Sequence, residues 1–126
     1  MLLNKGTTYA FDEATTASTS AVQLVTKKIR FPACIESGDF LTITSEVWNS
    51  GAYTTYYYVY DPGSTTFGTE ETNTNGTTHE FLSSTLTLGA WAGTIRAIRI
   101  YAKTQASGTA HVSAEDLLAN MWFVAK

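Results

Sequence analysis

Few side chains in this 126-residue chain are of the kinds that carry covalent or metal chemistry. There are two histidines, His79 in a polar stretch and His111 in a β-patterned run with no acidic partner nearby in sequence. No His-x-x-x-His, no cysteine pair, no Gly-x-Ser-x-Gly and no glycine-rich phosphate cradle ahead of a helix occurs. Cys34 is the single cysteine, which excludes an intramolecular disulfide and a multi-cysteine zinc site. With Lys27, Lys28 and Arg30 upstream as its only basic neighbours, it reads as a small buried hydrophobe rather than a reactive thiol. Glu70-Glu71 and Glu115-Asp116 offer oxygens of the sort calcium takes, but adjacent loop carboxylates ordinarily stay solvated. The expectation is a non-enzyme with no catalytic residue, no metal and no cofactor. A dyad assembled from residues distant in sequence is the one catalytic arrangement left open.

What the chain does offer is aromatic surface. In Tyr53-Thr54-Thr55-Tyr56-Tyr57-Tyr58-Val59-Tyr60, the alternation of a strand puts Tyr56, Tyr58 and Tyr60 on one face. Tyr53, Tyr57 and Val59 take the opposite face. If one row lies in the core, the other lies on the surface. An exposed aromatic row serves a protein interface or the face of a sugar, or simply covers a sheet through cross-strand pairs with Thr and Trp48. The interface or ligand candidates are Trp48, Tyr53, Tyr56, Tyr58, Tyr60 and Trp91.

The elements that must hold these residues are β-strands. Thr and Ser number 22 and 10, about a quarter of the chain, beside 16 aromatic residues and 9 glycines. Thr and Tyr favour a pleated, half-exposed surface and are mediocre in helices. Between Phe40 and Trp48, Leu41, Ile43 and Val47 alternate with polar and aromatic residues, the period of a half-buried antiparallel strand. Thr94 to Lys103 repeats the pattern, with Ile98, Ile100 and Ala102 on one side and Ile95, Ala97, Arg99, Tyr101 and Lys103 on the other. Further strands are expected over 22–31, 53–60, 81–88, 109–113 and 121–125, with a short one over 7–11. Glu36-Ser37-Gly38-Asp39, Asn49-Ser50-Gly51 and Gln105-Ala106-Ser107-Gly108 are turns. Residues 62–80, polar with Phe67 as their only large apolar side chain, read as an exposed excursion, and 114–119 as one helical turn or a bulged strand.

Seven to eight strands separated by turn signals give an all-β antiparallel sandwich over residues 22–126. Residues 1–21 form an N-terminal arm or edge strand, because 12–21 carry no large apolar side chain. Charge is low, with 8 basic and 11 acidic residues and a net charge of −3. That argues against a nucleic-acid groove, and no apolar run reaches the length of a membrane span.

The stretch from Trp91 through Thr94-Ile95-Arg96-Ala97-Ile98-Arg99-Ile100-Tyr101-Ala102-Lys103, with Gly108, Thr109 to Ser113 and Glu115-Asp116-Leu117, resembles the end of galactose-binding-like jelly rolls. These occur in carbohydrate-binding modules and in accessory proteins of tailed-phage virions. Ile29-Arg30-Phe31-Pro32-Ala33 with Ser37-Gly38-Asp39-Phe40-Leu41-Thr42-Ile43 is similar to the opening sheet of phage head and tail jelly rolls. The resemblance implies a jelly roll that is a capsid decoration (cement) or tail-fibre component of a tailed bacteriophage. Such a protein works as a homo-oligomer, a trimer for example, bound to major capsid or tail proteins, and is located in the virion after synthesis in the host cytoplasm. The competing reading is a carbohydrate-binding module or host-surface adhesin with a glycan on its Tyr/Trp face. The Met start without an export signal favours the virion protein.

Overall fold

The computed structural model describes residues 2–4, 13–113 and 121–125, with side chains described for 13–113 and 123–125. Eleven strands are present among them: β1 (Leu2–Asn4), β2 (Ala14–Thr16), β3 (Val22–Arg30), β4 (Phe40–Asn49), β5 (Thr55–Asp61), β6 (Thr66–Phe67), β7 (Glu71–Asn73), β8 (Glu80–Thr87), β9 (Ile95–Thr104), β10 (Ala110–Ser113) and β11 (Met121–Val124). All pairings are antiparallel. The count exceeds seven to eight because β1, β2, β6 and β7 are only two or three residues long, too short for any side-chain period to show in sequence.

Two sheets form a jelly-roll sandwich. In one, β4 pairs with β8 along one edge and with β10 and β11 in succession along the other, while β2 and β1 lie outside β10 and β11. In the other, the order is β3, β9, β5, with β6 and β7 sharing the free edge of β5. From β3 to β4 to β5, and from β8 to β9 to β10, the chain changes sheet at each connection. Each half-apolar strand therefore meets its complement across the core rather than beside it.

That core is the inward set of the alternating strands. Leu41, Ile43 and Val47 of β4 face Tyr57 and Val59 of β5 and Ile98, Ile100 and Ala102 of β9, all buried. Phe31 lies at the end of β3 with its ring edge-on to both Trp91 and Phe123, at 5.4 and 5.3 Å between centroids. The turn at Gly38 has the positive φ, 92°, that its type requires. Within residues 1–21, β1 pairs with β11 and β2 with β10, both at sheet edges. The expected strand over 7–11 and the turn over 114–119 lie outside the described residues.

Two expectations are corrected. The stretch 62–80 is not merely an excursion, because Thr66–Phe67 and Glu71–Asn73 return to pair with β5. Buried Asn73 anchors that return by donating from Nδ2 to the carbonyls of Val47, at 2.7 Å, and Thr78, at 2.8 Å. A single buried amide leaves no hydrophobic period to read. Cys34 is exposed rather than buried. It sits in the turn after Pro32, where the apolar anchors on either side are Phe31 and Ile35.

Candidate functional site

Strand β5 alternates buried and half-buried residues along its whole length. Tyr57 and Val59 point inward and are fully buried. The Tyr57 hydroxyl donates to the carbonyl of Ile43 at 2.8 Å and accepts from the Ser45 hydroxyl at 3.0 Å. Burial pushes the Tyr57 phenol well above its usual value. This row is committed to the core, which leaves Tyr56, Tyr58 and Tyr60 on the outer face.

Register supplies their neighbours. Tyr56 lies opposite Lys103, Tyr58 opposite Tyr101 and Tyr60 opposite Arg99 on β9, and Tyr60 also lies opposite Phe67 on β6. The rings form one cluster. Tyr58 stacks on Tyr101 with centroids 5.3 Å apart and planes 2° from parallel, and Tyr60 meets Tyr101 edge-on at 5.7 Å. Phe67 leans over Tyr60 at 4.4 Å and Tyr58 at 5.8 Å while staying 63% exposed. Lys103 Nζ lies 4.8 Å from the centre of the Tyr56 ring. Partial burial, with the adjacent Tyr101, Glu70 and Tyr60, raises the pKa of Tyr58.

The other aromatic candidates lie elsewhere. Trp48 is on the outer face of the opposite sheet, its ring between His79 at 3.9 Å and His111 at 5.0 Å, nearly parallel to both. His79 Nδ1 bonds to Glu46 and His111 Nδ1 to Glu13, so both histidines have acidic partners distant in sequence. The arrangement ties together the Glu13 end of β2, β10, β4 and the residue just ahead of β8. Trp91 is a core residue, 6% exposed, with Arg96 stacked on it at 4.3 Å. Tyr53 lies before β5 with its ring close against Gly51 and Gly108.

Strand alternation alone puts Tyr56, Tyr58 and Tyr60 on one face, and it does not assemble the cluster. Tyr101, Arg99 and Lys103 were legible as a shared face of β9, and only the β5–β9 register joins that face to the tyrosines. Phe67 was visible as a lone apolar residue in a polar stretch, which was the one available signal that it covers something. Among the described residues, no group of three or more metal-ligating side chains forms.

No family model and no curated protein matches the chain. Among solved structures, it is similar to one of infectious bursal disease virus, Gt strain, with a TM-score of 0.45 and 9% identity over 99% of this chain and 37% of that one. It is similar to the VP2 subviral particle of the same virus, with a TM-score of 0.43 and 12% identity over 99% of this chain and 36% of that one. It is also similar to a carbohydrate-binding module of Cellvibrio mixtus lichenase 5A solved with cellotriose, with a TM-score of 0.39 and 11% identity over 100% of this chain and 96% of that one. The chain spans little more than a third of the length of the two viral chains.

Proposed function

We propose that the chain is a non-enzymatic structural protein of a tailed-bacteriophage virion, a capsid decoration or tail component, that docks on the assembled particle through the outer face of the β3–β9–β5 sheet. The observation that carries this is the cluster of Tyr58, Tyr60, Tyr101 and Phe67, which stands on a sheet face rather than in a cleft. Rigid aromatic side chains locked by one another lose little entropy on docking, which is why such groups dominate protein interfaces. A sugar site instead needs an open ring face beside polar groups in a cleft. Here Tyr58 and Tyr101 each give one face to the other and Phe67 leans over Tyr60, so the rings pack as one cluster. The phage assignment follows the resemblance of the Ile29 to Ile43 and Trp91 to Leu117 stretches. Binding the assembled lattice and not its separate subunits would stabilise the particle by mass action.

The test uses Phe67→Ser and a Tyr58→Ser/Tyr60→Ser variant, each checked for an intact fold by circular dichroism. Incorporation into particles purified from a lysate of the encoding phage should fall about tenfold or more, a loss expected of central interface aromatics. Unchanged incorporation in folded variants sinks the docking reading. Retention of the parent chain on a polysaccharide column, lost with Phe67→Ser, would replace it with a glycan-binding one.

A further inference from the structure

The sandwich is electrically two-sided. Of the eight lysines and arginines in the chain, Lys28, Arg30, Arg99 and Lys103 take outward positions on β3 and β9. The register fixes this: Lys28 pairs with Ala97 and Arg30 with Ile95, and Arg99 and Lys103 lie opposite the tyrosines. No Asp or Glu takes an outward position on β3, β5 or β9. The carboxylate felt at this face is that of Glu70, just ahead of β7, through its effect on Tyr58. On the opposite sheet, the outward positions include Thr42, Thr44, Ser83 and Thr85, hydrogen-bonded in pairs with the first two buried, along with Phe40, Glu46, Trp48, Phe81, His111 and Glu13. Among the described residues that face has no Lys or Arg. A chain of net charge −3 thus gathers half its cations on the one face that carries the aromatic cluster.

Arg99, half-buried on the outer face of β9, differs from Arg96 in its partners. Its Nε is buried and has no hydrogen-bond partner among the described residues. Arg96, three residues earlier and facing inward, is fully used: it holds Asp61 through Nε at 3.2 Å and Nη2 at 2.7 Å and stacks on Trp91.

Resting on the docking reading above, we propose that the partner surface this face recognises is an acidic protein surface, its carboxylates set to meet Lys28, Arg30, Arg99 and Lys103 around the Tyr58–Tyr60–Tyr101–Phe67 cluster. A second copy of this chain docked face to face would oppose four cations to four cations. A single-stranded nucleic acid stacks its bases on open ring faces, and the Tyr58–Tyr101 stack takes one face of each of those rings, which makes oligo-dT binding an outcome of the test rather than the expectation. An acidic glycan would need a cleft beside an open ring, whereas this cluster stands on the outer face of a sheet whose strands run roughly 30 Å.

The probe is immobilised poly-L-glutamate, with oligo-dT and alginate columns run in parallel. Lys28→Gln/Arg99→Gln/Lys103→Gln is compared with Lys27→Gln, whose position pairs with buried Ile98 and so lies on the other side of β3. The parent should bind poly-L-glutamate more tightly than either other polymer. Its affinity should fall about tenfold in the triple variant and with a several-fold rise in salt, and stay unchanged in Lys27→Gln. Particle incorporation by the triple variant should fall in step. Tighter binding to oligo-dT or alginate, or equal retention of the triple variant, overturns the proposal. If Phe67→Ser loses incorporation while the triple variant keeps it, docking stands and the acidic partner does not.

Discussion

Asn49 closes β4 with both ends of its amide in use. It donates from Nδ2 to the Thr104 hydroxyl at 2.9 Å and the Thr55 hydroxyl at 3.2 Å, and its Oδ1 accepts from the Gly51 amide at 3.1 Å. All three side chains are buried, so the ends of β4, β5 and β9 meet at a polar point that water does not reach. Asn49→Ala should therefore cost about 1–3 kcal/mol, the range for stranding buried polar partners, read as a shift of the urea midpoint. Gly108 sits against the same amide at φ 81°, where a Cβ would come within 2.4 Å of Asn49 Oδ1. Asp61 is a buried carboxylate held by Arg96 and Ser64. Burial alone would raise its pKa, but the hydrogen bonds from Arg96 and Ser64 and the Arg96 charge outweigh it, so the carboxyl titrates below its usual 3.8. A depressed carboxylate contributes stability that is fully present above the usual value and lost as pH falls through the folded one. Asp61→Asn should cost about 2–4 kcal/mol at neutral pH, with the gap to the parent narrowing as the pH falls below the usual carboxylate value of 3.8. Urea melts at the two pH values check this, and a gap that stays constant with pH counts against it.

At the scale of elements, β2 is an edge strand held without large apolar side chains. It has a three-residue ladder to β10, the Glu13–His111 bond, and, just beyond its end, the Ser18 carbonyl accepting from the Thr104 amide at 3.0 Å. Removing residues 1–19 takes away these bonds and uncovers the outer edge of β10. The expected result is a loss of about 1–3 kcal/mol and faster amide exchange across Ala110–Val112, followed by hydrogen-exchange mass spectrometry. An unchanged melting temperature and unchanged exchange would show that the ladder contributes nothing in solution. An uncovered β10 also offers a new pairing edge, so the truncated chain should aggregate more readily.

For the whole molecule, the two-sided charge distribution limits how copies can assemble. A two-fold dimer through the β3–β9–β5 face sets like charges against each other, whereas a cyclic trimer joins unlike surfaces around its axis. If the chain forms the homo-oligomer that the resemblance implies, a trimer for example, a ring of this kind would leave the basic aromatic face outward for the particle. Light scattering at tens of micromolar should give about 41 kDa, three times the 13.7 kDa chain. A stable monomer, or a dimer lost on Lys28→Glu, would sink that arrangement.

The division between what the sequence determined and what tertiary structure decided follows the reach of each signal. Alternation over Phe40 to Trp48 and Thr94 to Lys103 defines two long strands and the residues that share each of their faces, because a period of two over ten residues leaves only two sets. The Thr and Tyr content fixed the all-β class for the same local reason. The strand containing Tyr56 to Tyr60 is aromatic on both faces, so its period was readable but its orientation was not. Packing against Ile43 and Ser45, which receive the Tyr57 hydroxyl, decided that Tyr57 goes in and the others out. Register then set Tyr101 and Phe67 beside them, and Lys28, Arg30, Arg99 and Lys103 on the same face. Those cations are scattered between positions 28 and 103, with a net charge of the opposite sign over the chain, so no linear reading concentrates them. Pairing distant strands side by side is what turns a dilute composition into a patch.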